Sequence, residues 1–523
     1  MPIRMEKDEP RRERPRRPGE SRQRGSSGLM RLLPLVLMFV LKRPKLIVPL
    51  LLVGAAWYFF FGGAEMLQGP AVEDESAFQQ QFSFGAEFST EKYDSAEVFE
   101  PLVVGASYSE SRLPRAVSML RYAPQRRHQG RQGSCVGWAS SYAARTILEA
   151  MATGADPDRV AFSPSFVYNQ IALSGCQGAY MLDAMQTLQR VGDLPLSEFG
   201  YDERTCRIRP DYEDQRRAKQ YRIKGYNRLT RGANNYEPDL LAIKEHLAQG
   251  APVVIGMQVG GTFMHQMRGK ALWQPTQRDY DMYGYSGHAM CVIGYDDDKY
   301  GGAFQIMNSW GQDWGDRGVA WVRYDDFAYF VKEAYGIYPM GQSPKFDPNK
   351  IEAKFGLVDQ ATQELIPLRQ VQDGLFRTRK PIRIGDKFKV AITNTVECYV
   401  YVLGEETDGS SYVLFPYTPK HSPYCGITGT RVFPRDYSMV ADDVGERDRV
   451  AFIVSKERLD HERLNALVNN SRQRSFAAKI DDALGSLRVP TVQFAEQGGA
   501  VRFVANTSDR QHIVRVVLEI DKW

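Results

Sequence analysis

Apolar positions along the chain fall into four regimes, each predicting a different kind of structure. Residues 46–61 form an uncharged apolar run, and residues 64–110 are polar with scattered phenylalanines and no sustained period. Residues 111–340 mix helical spacing with short apolar runs, and residues 374–523 alternate apolar and polar over short segments. In the third regime, Ala139, Tyr142, Ala143, Ile147 and Leu148 recur at spacings of three and four after Cys135, which predicts a helix that Thr153-Gly154 ends. Ser163-Pro164-Ser165 reads as a cap into a second helix through Tyr168 and Ile171. Residues 180–190 carry apolar side chains at 181, 185 and 188, and residues 239–249 put Leu240, Ile243 and Leu247 on one helical face. Residues 252–257, 289–293 and 303–307 read as strands.

In the last regime, alternation at 388–392, 399–403, 413–415 and 451–454, with turn signals such as Asp408-Gly409-Ser410, predicts a compact antiparallel β domain of sandwich type. A helical stretch over 461–484 and closing strands near 501–505 and 513–520 complete it. Residues 341–373 read as a polar connector.

Charge changes the picture at the N-terminus. Residues 1–45 carry thirteen Lys/Arg against five Asp/Glu, whereas the whole chain nets only +4, so the remainder is slightly acidic. The basic character belongs to one tail, and nucleic-acid binding by the body is not suggested. With Gly62 and Gly63 the uncharged run reaches eighteen residues, close to the roughly 20 needed to cross a bilayer. Residues 46–63 therefore read as a transmembrane helix. Lys42, Arg43 and Lys45 put its N-terminal side in the cytoplasm and the body outside, periplasmic if the cell is bacterial. A hairpin through 32–41 and 46–61 is the alternative and would bury those three cations; a removable signal peptide is a third reading. Residues 64–110 read as a tether, whose phenylalanines could dock on the domain behind it.

The stretch Gln129-Gly130-Arg131-Gln132-Gly133-Ser134-Cys135 places a thiol at the mouth of the first predicted helix. Unpaired N–H groups and the helix dipole there stabilise the thiolate, the reactive form of cysteine. A nucleophilic cysteine also needs a base, a group to orient that base and donors for the developing oxyanion. Gly287-His288 opens one apolar strand, and Asn308-Ser309-Trp310-Gly311 follows another, so two adjacent strands would carry His288 and Asn308 side by side. An Asn carbonyl accepting from one ring nitrogen leaves the other to face the thiol. The six cysteines, 135, 176, 206, 291, 398 and 425, leave an odd number once Cys135 is set aside. Spacing does not settle whether Cys398 and Cys425 pair. No cysteine pair has the close spacing of a zinc site and the histidines are dispersed, so no metal or other cofactor is expected.

In order and spacing these three segments resemble the papain-like cysteine peptidases, over roughly 112–340. The resemblance implies an α+β, two-lobed fold, with a helical lobe carrying Cys135 and a β-barrel-like lobe carrying His288. It makes Cys135 the nucleophile, His288 the base, Asn308 its orienting group and Gln129 the oxyanion donor. Trp310 would shield the Asn–His contact, and Gly178, Ala179 and Gly287 would join it in the substrate-binding set. A Cys176–Cys206 disulfide is implied by a cysteine pair at like positions in the family. The chain departs from the pattern in placing Val136 and Gly137 between Cys135 and Trp138, in having Gln132 where the family has a further cysteine, and in having Ala179 where the family's wall motif has a second glycine. No long helical proregion precedes the domain. The alternation after 398 is similar to a family of β domains of unassigned function appended to bacterial peptidases. The expected activity is hydrolysis of extracytoplasmic proteins or peptides through a Cys135 thioester. A protein partner for the β domain goes with it, and a catalytically silent, membrane-tethered peptide-binding scaffold is the alternative.

Overall fold

The computed structural model describes residues 4–8, 82–109, 111–338 and 347–523. The run 46–63 lies outside them; among the described residues no helix is long and apolar enough to cross a membrane. The described residues belong to one compact unit containing two sheet-bearing halves.

In chain order the first half begins with β1 (Met5–Lys7), β2 (Ala86–Glu87), α1 (Thr90–Ser95) and β3 (Ala116–Ser118). The segments Cys135–Gly137, Trp138–Arg145 and Thr146–Thr153 then run on as one helix, α2, whose middle part is π-wound. Gly154 ends it in the left-handed region at φ 70°, its N–H closing on Ala150 O, a conformation glycine adopts without a steric penalty. Nearly every side chain of α2 up to Ala150 is buried, the pattern of a helix enclosed on all sides. α3 (Pro164–Ile171), capped by Ser163, and α4 (Met181–Arg190), preceded by β4 (Ala179–Tyr180), pack around it.

After β5 (Tyr226–Arg228), α5 (Leu240–Ala248) starts from Asp239, whose carboxylate accepts from the N–H groups of Leu241 and Ala242. The sheet that follows contains β6 (Val253–Val259), β7 (Ser286–Asp296), β8 (Ala303–Met307), β9 (Val319–Arg323) and β10 (Val331–Ile337). Its order is β9-β8-β7-β6-β10-β5, with β3 on the far part of β7. All these pairings are antiparallel. One core joins α2, α3 and α4 to this sheet.

The second half does not begin at residue 374. β11 (Lys350–Asp359) is a central strand, flanked by residues 387–394 and 500–506, and residues 365–372 add further pairing. From residue 350 on, the polar connector is thus part of the domain. Only alternate positions of β11 need be apolar, since one face looks away from the core. Its sheet reads β1-β17-β13-β11-β20-β19, with β13 (Lys387–Asn394), β16 (Gly429–Phe433) on β13, β17 (Tyr437–Val440), β19 (Gln493–Gln497) and β20 (Ala500–Asn506). The opposing sheet is built on β12 (Leu375–Thr378), β21 (Ile513–Asp521), β18 (Arg447–Ser455) and β14 (Cys398–Glu405), with β15 (Tyr424–Cys425) on β14. Side chains of both sheets share one apolar core. The sheets are antiparallel except where β12 runs parallel to β21. The helix expected over 461–484 is two, α6 (His461–Asn470) and α7 (Phe476–Leu484), because Ser471 ends one and Ser475 caps the next.

Two expectations for the N-terminal part change. Residues 5–7 of the basic tail pair with β17 (Met5↔Met439, Lys7↔Tyr437), and Asp8 meets Lys389 at 2.5 Å. Residues 82–109 are not a tether: Phe99, Leu102 and Ser109 are buried, and the segment runs through the first half and then along the second.

Candidate active site

The helix start and the two strands bring the expected residues together. Cys135 opens α2, and its sulfur accepts the N–H of Ala289, the residue after His288 on β7, at 3.3 Å. Ser134 makes no side-chain cap; its hydroxyl is 2.7 Å from that of Tyr201. The first N–H groups of the helix are therefore left to the sulfur.

β8 lies beside β7, and the backbone leaves it at Asn308. His288 Nε2 stands 2.7 Å from Asn308 Oδ1. An amide oxygen accepts, so Nε2 carries the proton and Nδ1 is the basic nitrogen. Nδ1 is buried with no hydrogen-bond partner among the described residues. The Ser309 N–H also donates to Asn308 Oδ1, at 2.7 Å, fixing the carboxamide. Trp310 is buried and stacks on the His288 ring at 4.3 Å, covering the Asn–His pair.

Gln129 is fully buried, and its carboxamide is held at both ends. Its Oε1 accepts from Ser309 Oγ at 2.6 Å, and its Nε2 donates to Gln132 O at 3.0 Å. Tyr201, which sequence reasoning missed, donates to Gln129 O at 2.6 Å and packs edge-on against Trp138 at 4.9 Å. Trp138 thus packs on the tyrosine that holds the glutamine loop. No local period could have marked Tyr201, since it lies on an irregular loop about seventy residues downstream. Cys176 and Cys206 form a disulfide with Cα atoms 5.7 Å apart, fixing the loop that carries Gly178 and Ala179. Cys291, Cys398 and Cys425 are free and buried, and Cys398 and Cys425 face each other as register partners on β14 and β15.

Residues 82–88 fill the cleft between Cys135 and these strands. Trp310 Nε1 donates to Ser83 O at 3.0 Å, and Gln129 Nε2 reaches Phe84 O at 3.4 Å. Gly85 N–H donates to Gly287 O at 3.2 Å, and Ala179 N–H donates to Gly85 O at 2.9 Å. β2 then runs parallel to β4, with Ala86 opposite Ala179. Every residue expected to bind substrate is thus engaged by the chain's own strap, Gly178 by lying against Gly85 O. Gly287 has to be glycine for this fit, because a side-chain carbon there would collide with Ala86 O and the Phe88 ring.

The covered site is electrically quiet. Burial pushes the Cys135 thiol up to about 12, against the opposing pull of the Ala289, Val136 and Cys135 N–H groups. Burial likewise pushes His288 down to about 4, and the Asn308 contact only partly opposes it. Both groups are neutral at pH 7 with the strap in place. Opening the cleft to water would remove the dominant cause of each shift. Among the described residues no cluster of metal-binding side chains is found.

Residues 117–337 match the papain family of cysteine proteases, and residues 382–458 match a domain of unknown function, DUF4384. A cysteine protease of Blomia tropicalis is 28% identical over 259 residues, covering 47% of this chain and 71% of its own length. Cathepsin K of Mus musculus is 28% identical over 244 residues, covering 45% of this chain and 66% of its own. Among solved structures, xylellain, a cysteine protease from Xylella fastidiosa, is 23% identical with a TM-score of 0.39, covering 50% of this chain and 96% of its own. The matched region carries a cysteine peptidase domain, and the chain is a hydrolase of that type.

Proposed function

We propose that this cysteine peptidase hydrolyses peptide bonds of extracytoplasmic proteins or peptides through a thioester on Cys135, and that it is latent while residues 82–88 occupy the cleft. The observation that carries the chemistry is the Nε2–Oδ1 contact of 2.7 Å, which leaves His288 Nδ1 as a free base beside the thiol-bearing helix start.

With the cleft open, Nδ1 takes the Cys135 proton and the sulfur attacks the substrate carbonyl carbon. The oxyanion is met by the Cys135 N–H and Gln129 Nε2, donors already fixed in direction by Ser309 and Gln132. Collapse breaks the C–N bond, and the amine leaves with the proton from His288. Water, deprotonated by the same nitrogen, then hydrolyses the thioester and frees the thiol.

The alternative, a silent scaffold, has the same fold but no turnover. It is separated by alkylation of Cys135 in a variant with the strap displaced. A haloacetamide should modify Cys135 faster than an exposed thiol, and Cys135→Ala should abolish cleavage of an unfolded protein. Slow alkylation of a folded, strap-displaced variant ends the peptidase reading.

Membrane attachment through residues 46–63 is proposed from their apolar run alone. A single crossing with a cytoplasmic N-terminus carries residues 4–8 away from the extracytoplasmic body. β1 instead joins residues 5–7 to β17, so the two arrangements exclude each other in one molecule. Labelling of a Glu6→Cys variant in intact cells by a membrane-impermeant maleimide decides. Protection supports the single crossing, and reaction supports the hairpin through 32–41 and 46–61.

A further inference from the structure

Beyond the cleft, the strap does not return to solvent. α1 is held by the peptidase half: Lys92 pairs with Asp183 at 2.8 Å, and the Tyr93 hydroxyl accepts the Ala334 N–H at 2.9 Å. From Asp94 onward the C-terminal domain shares the hold with the peptidase half, whose Tyr236 donates to Asp94 at 2.8 Å and whose Arg228 N–H donates to Glu97 O at 2.9 Å. Asp94 meets Lys420 at 2.5 Å, and Glu97 pairs with Arg458. Val98 N–H donates to Lys420 O at 2.7 Å, and Ser422 N–H donates to Val98 O at 3.0 Å. Val98 therefore lies as a short strand between the two halves, bridged to Arg228 on one side and His421 on the other. Further along, Arg431 Nε donates to Glu100 O at 2.9 Å, Val103 N–H to Thr430 O at 2.7 Å, and Thr430 N–H to Ser111 Oγ at 2.9 Å.

We propose that the C-terminal domain is a clamp on the strap: by gripping residues 94–103 and Ser111 it holds residues 82–88 in the cleft, and loosening that grip releases Cys135. The proposal rests on the reading of the cleft as that of a latent peptidase. Its physical basis is tethering. A segment fixed close to its binding site rebinds intramolecularly at a high effective concentration, which falls as the fixed point recedes. The arm is ordered from both sides: Phe99 and Leu102 lie in the core of the peptidase half and the Leu102 N–H donates to Glu245 Oε2 at 3.1 Å, while Ser422, Thr430 and Arg431 hold it from the C-terminal domain. Val98, Phe99 and Leu102 are buried apolar side chains, and in free solution so short a segment would not bury enough surface to fold. The clamp gives the domain a role without any catalytic residue of its own. It also ties activity to whatever moves that domain.

The test uses the full chain with Lys420→Glu and Arg458→Glu, which turn both ion pairs into like-charge contacts. Cys135 alkylation by iodoacetamide, followed by mass spectrometry of its peptide, should accelerate about tenfold, roughly threefold for each pair lost. Adding Glu97→Arg to Arg458→Glu restores opposite charge and should slow alkylation again. Amide hydrogen exchange at Gly85 and Ala179, whose N–H groups close the strap onto the cleft, should accelerate in the reversed variants and recover in the swap.

A parallel Phe84→Asp variant displaces the strap directly. If it alkylates fast while the charge reversals leave both alkylation and exchange unchanged, the clamp is wrong and the latent peptidase stands. If Phe84→Asp is folded and still slow, the peptidase reading falls and takes the clamp with it. Should the double reversal unfold the C-terminal domain, Arg458→Ala alone is read in the same two assays, with unchanged exchange at Gly85 again counting against the clamp.

Discussion

Replacing Phe82 and Phe84 together by alanine should unseat the strap while every catalytic side chain stays in place. Phe82 stacks on Trp310 at 4.8 Å; Phe84 stands edge-on to Trp310 at 6.1 Å and to His288 at 6.4 Å. Truncating a fully buried phenylalanine costs about 3–5 kcal/mol. Both rings are half-buried, so ~2 kcal/mol each is the scaled loss. Because both lean on Trp310 the losses overlap, and ~3 kcal/mol is the figure for the pair. At about 1.4 kcal/mol per factor of ten, the open population rises about a hundredfold. Open population sets the alkylation rate, since the covered thiol, pushed up to about 12 by burial, holds about a thousandfold less thiolate at neutral pH than one titrating near 9. The assay is loss of the unmodified Cys135 peptide under excess iodoacetamide, with the buried strand residue Cys291 as internal reference. A folded double variant whose Cys135 reacts within twofold of the parent protein would refute the reasoning, because either the rings do not hold the strap or the strap does not guard the sulfur.

In a strap-displaced background, Asn308→Ala should lower kcat on the order of a hundredfold or more with little change in KM, since His288 loses the acceptor that fixes its tautomer. Steady-state cleavage of a fluorogenic peptide reads it. Glu100 and Glu245, at the junction of the two halves, have carboxyls pushed up to about 8, burial being the first cause in each. A carboxyl raised on folding contributes stability that is present below its ordinary value near 4.5 and is lost as pH rises through 8. His246 and His421, pushed down to about 4 by burial, work in the opposite sense only below about 6.5. Melting curves from pH 6.5 to 8 should therefore show a fall in Tm that Glu245→Gln makes shallower. Cys206→Ser should cost about 3.7 kcal/mol, the chain-entropy figure for a closure of 30 residues, measured by denaturant unfolding beside the parent protein.

The sequence alone determined the parts whose signal is local. α2 was legible because its apolar residues keep helical spacing and Gly154 stops it; β6, β7 and β8 were legible as short apolar runs. Cys135, His288 and Asn308 stand out because each sits where one of those elements begins or ends, Gln129 only through the family resemblance, and adjacency of β7 and β8 follows from a short connection. β11 reads as polar because Glu352 and Lys354 charge one of its faces, and the apolar face opposite gains its meaning only from a partner sheet.

What only the tertiary structure decided is everything that depends on pairing distant segments. Phe82, Phe84 and Phe88 have no helical or strand period beyond a few residues, and their partners lie up to 227 positions away, as Ser83 does from Trp310. β1 finds β17 at still greater separation, and Val98 becomes a strand only because Arg228 and His421 flank it. Such contacts carry no signature in the segment itself, since the free energy that orders it comes from surfaces formed elsewhere. The catalytic groups were written in the chain; whether they are exposed to a substrate or covered by the chain's own strap was settled by packing.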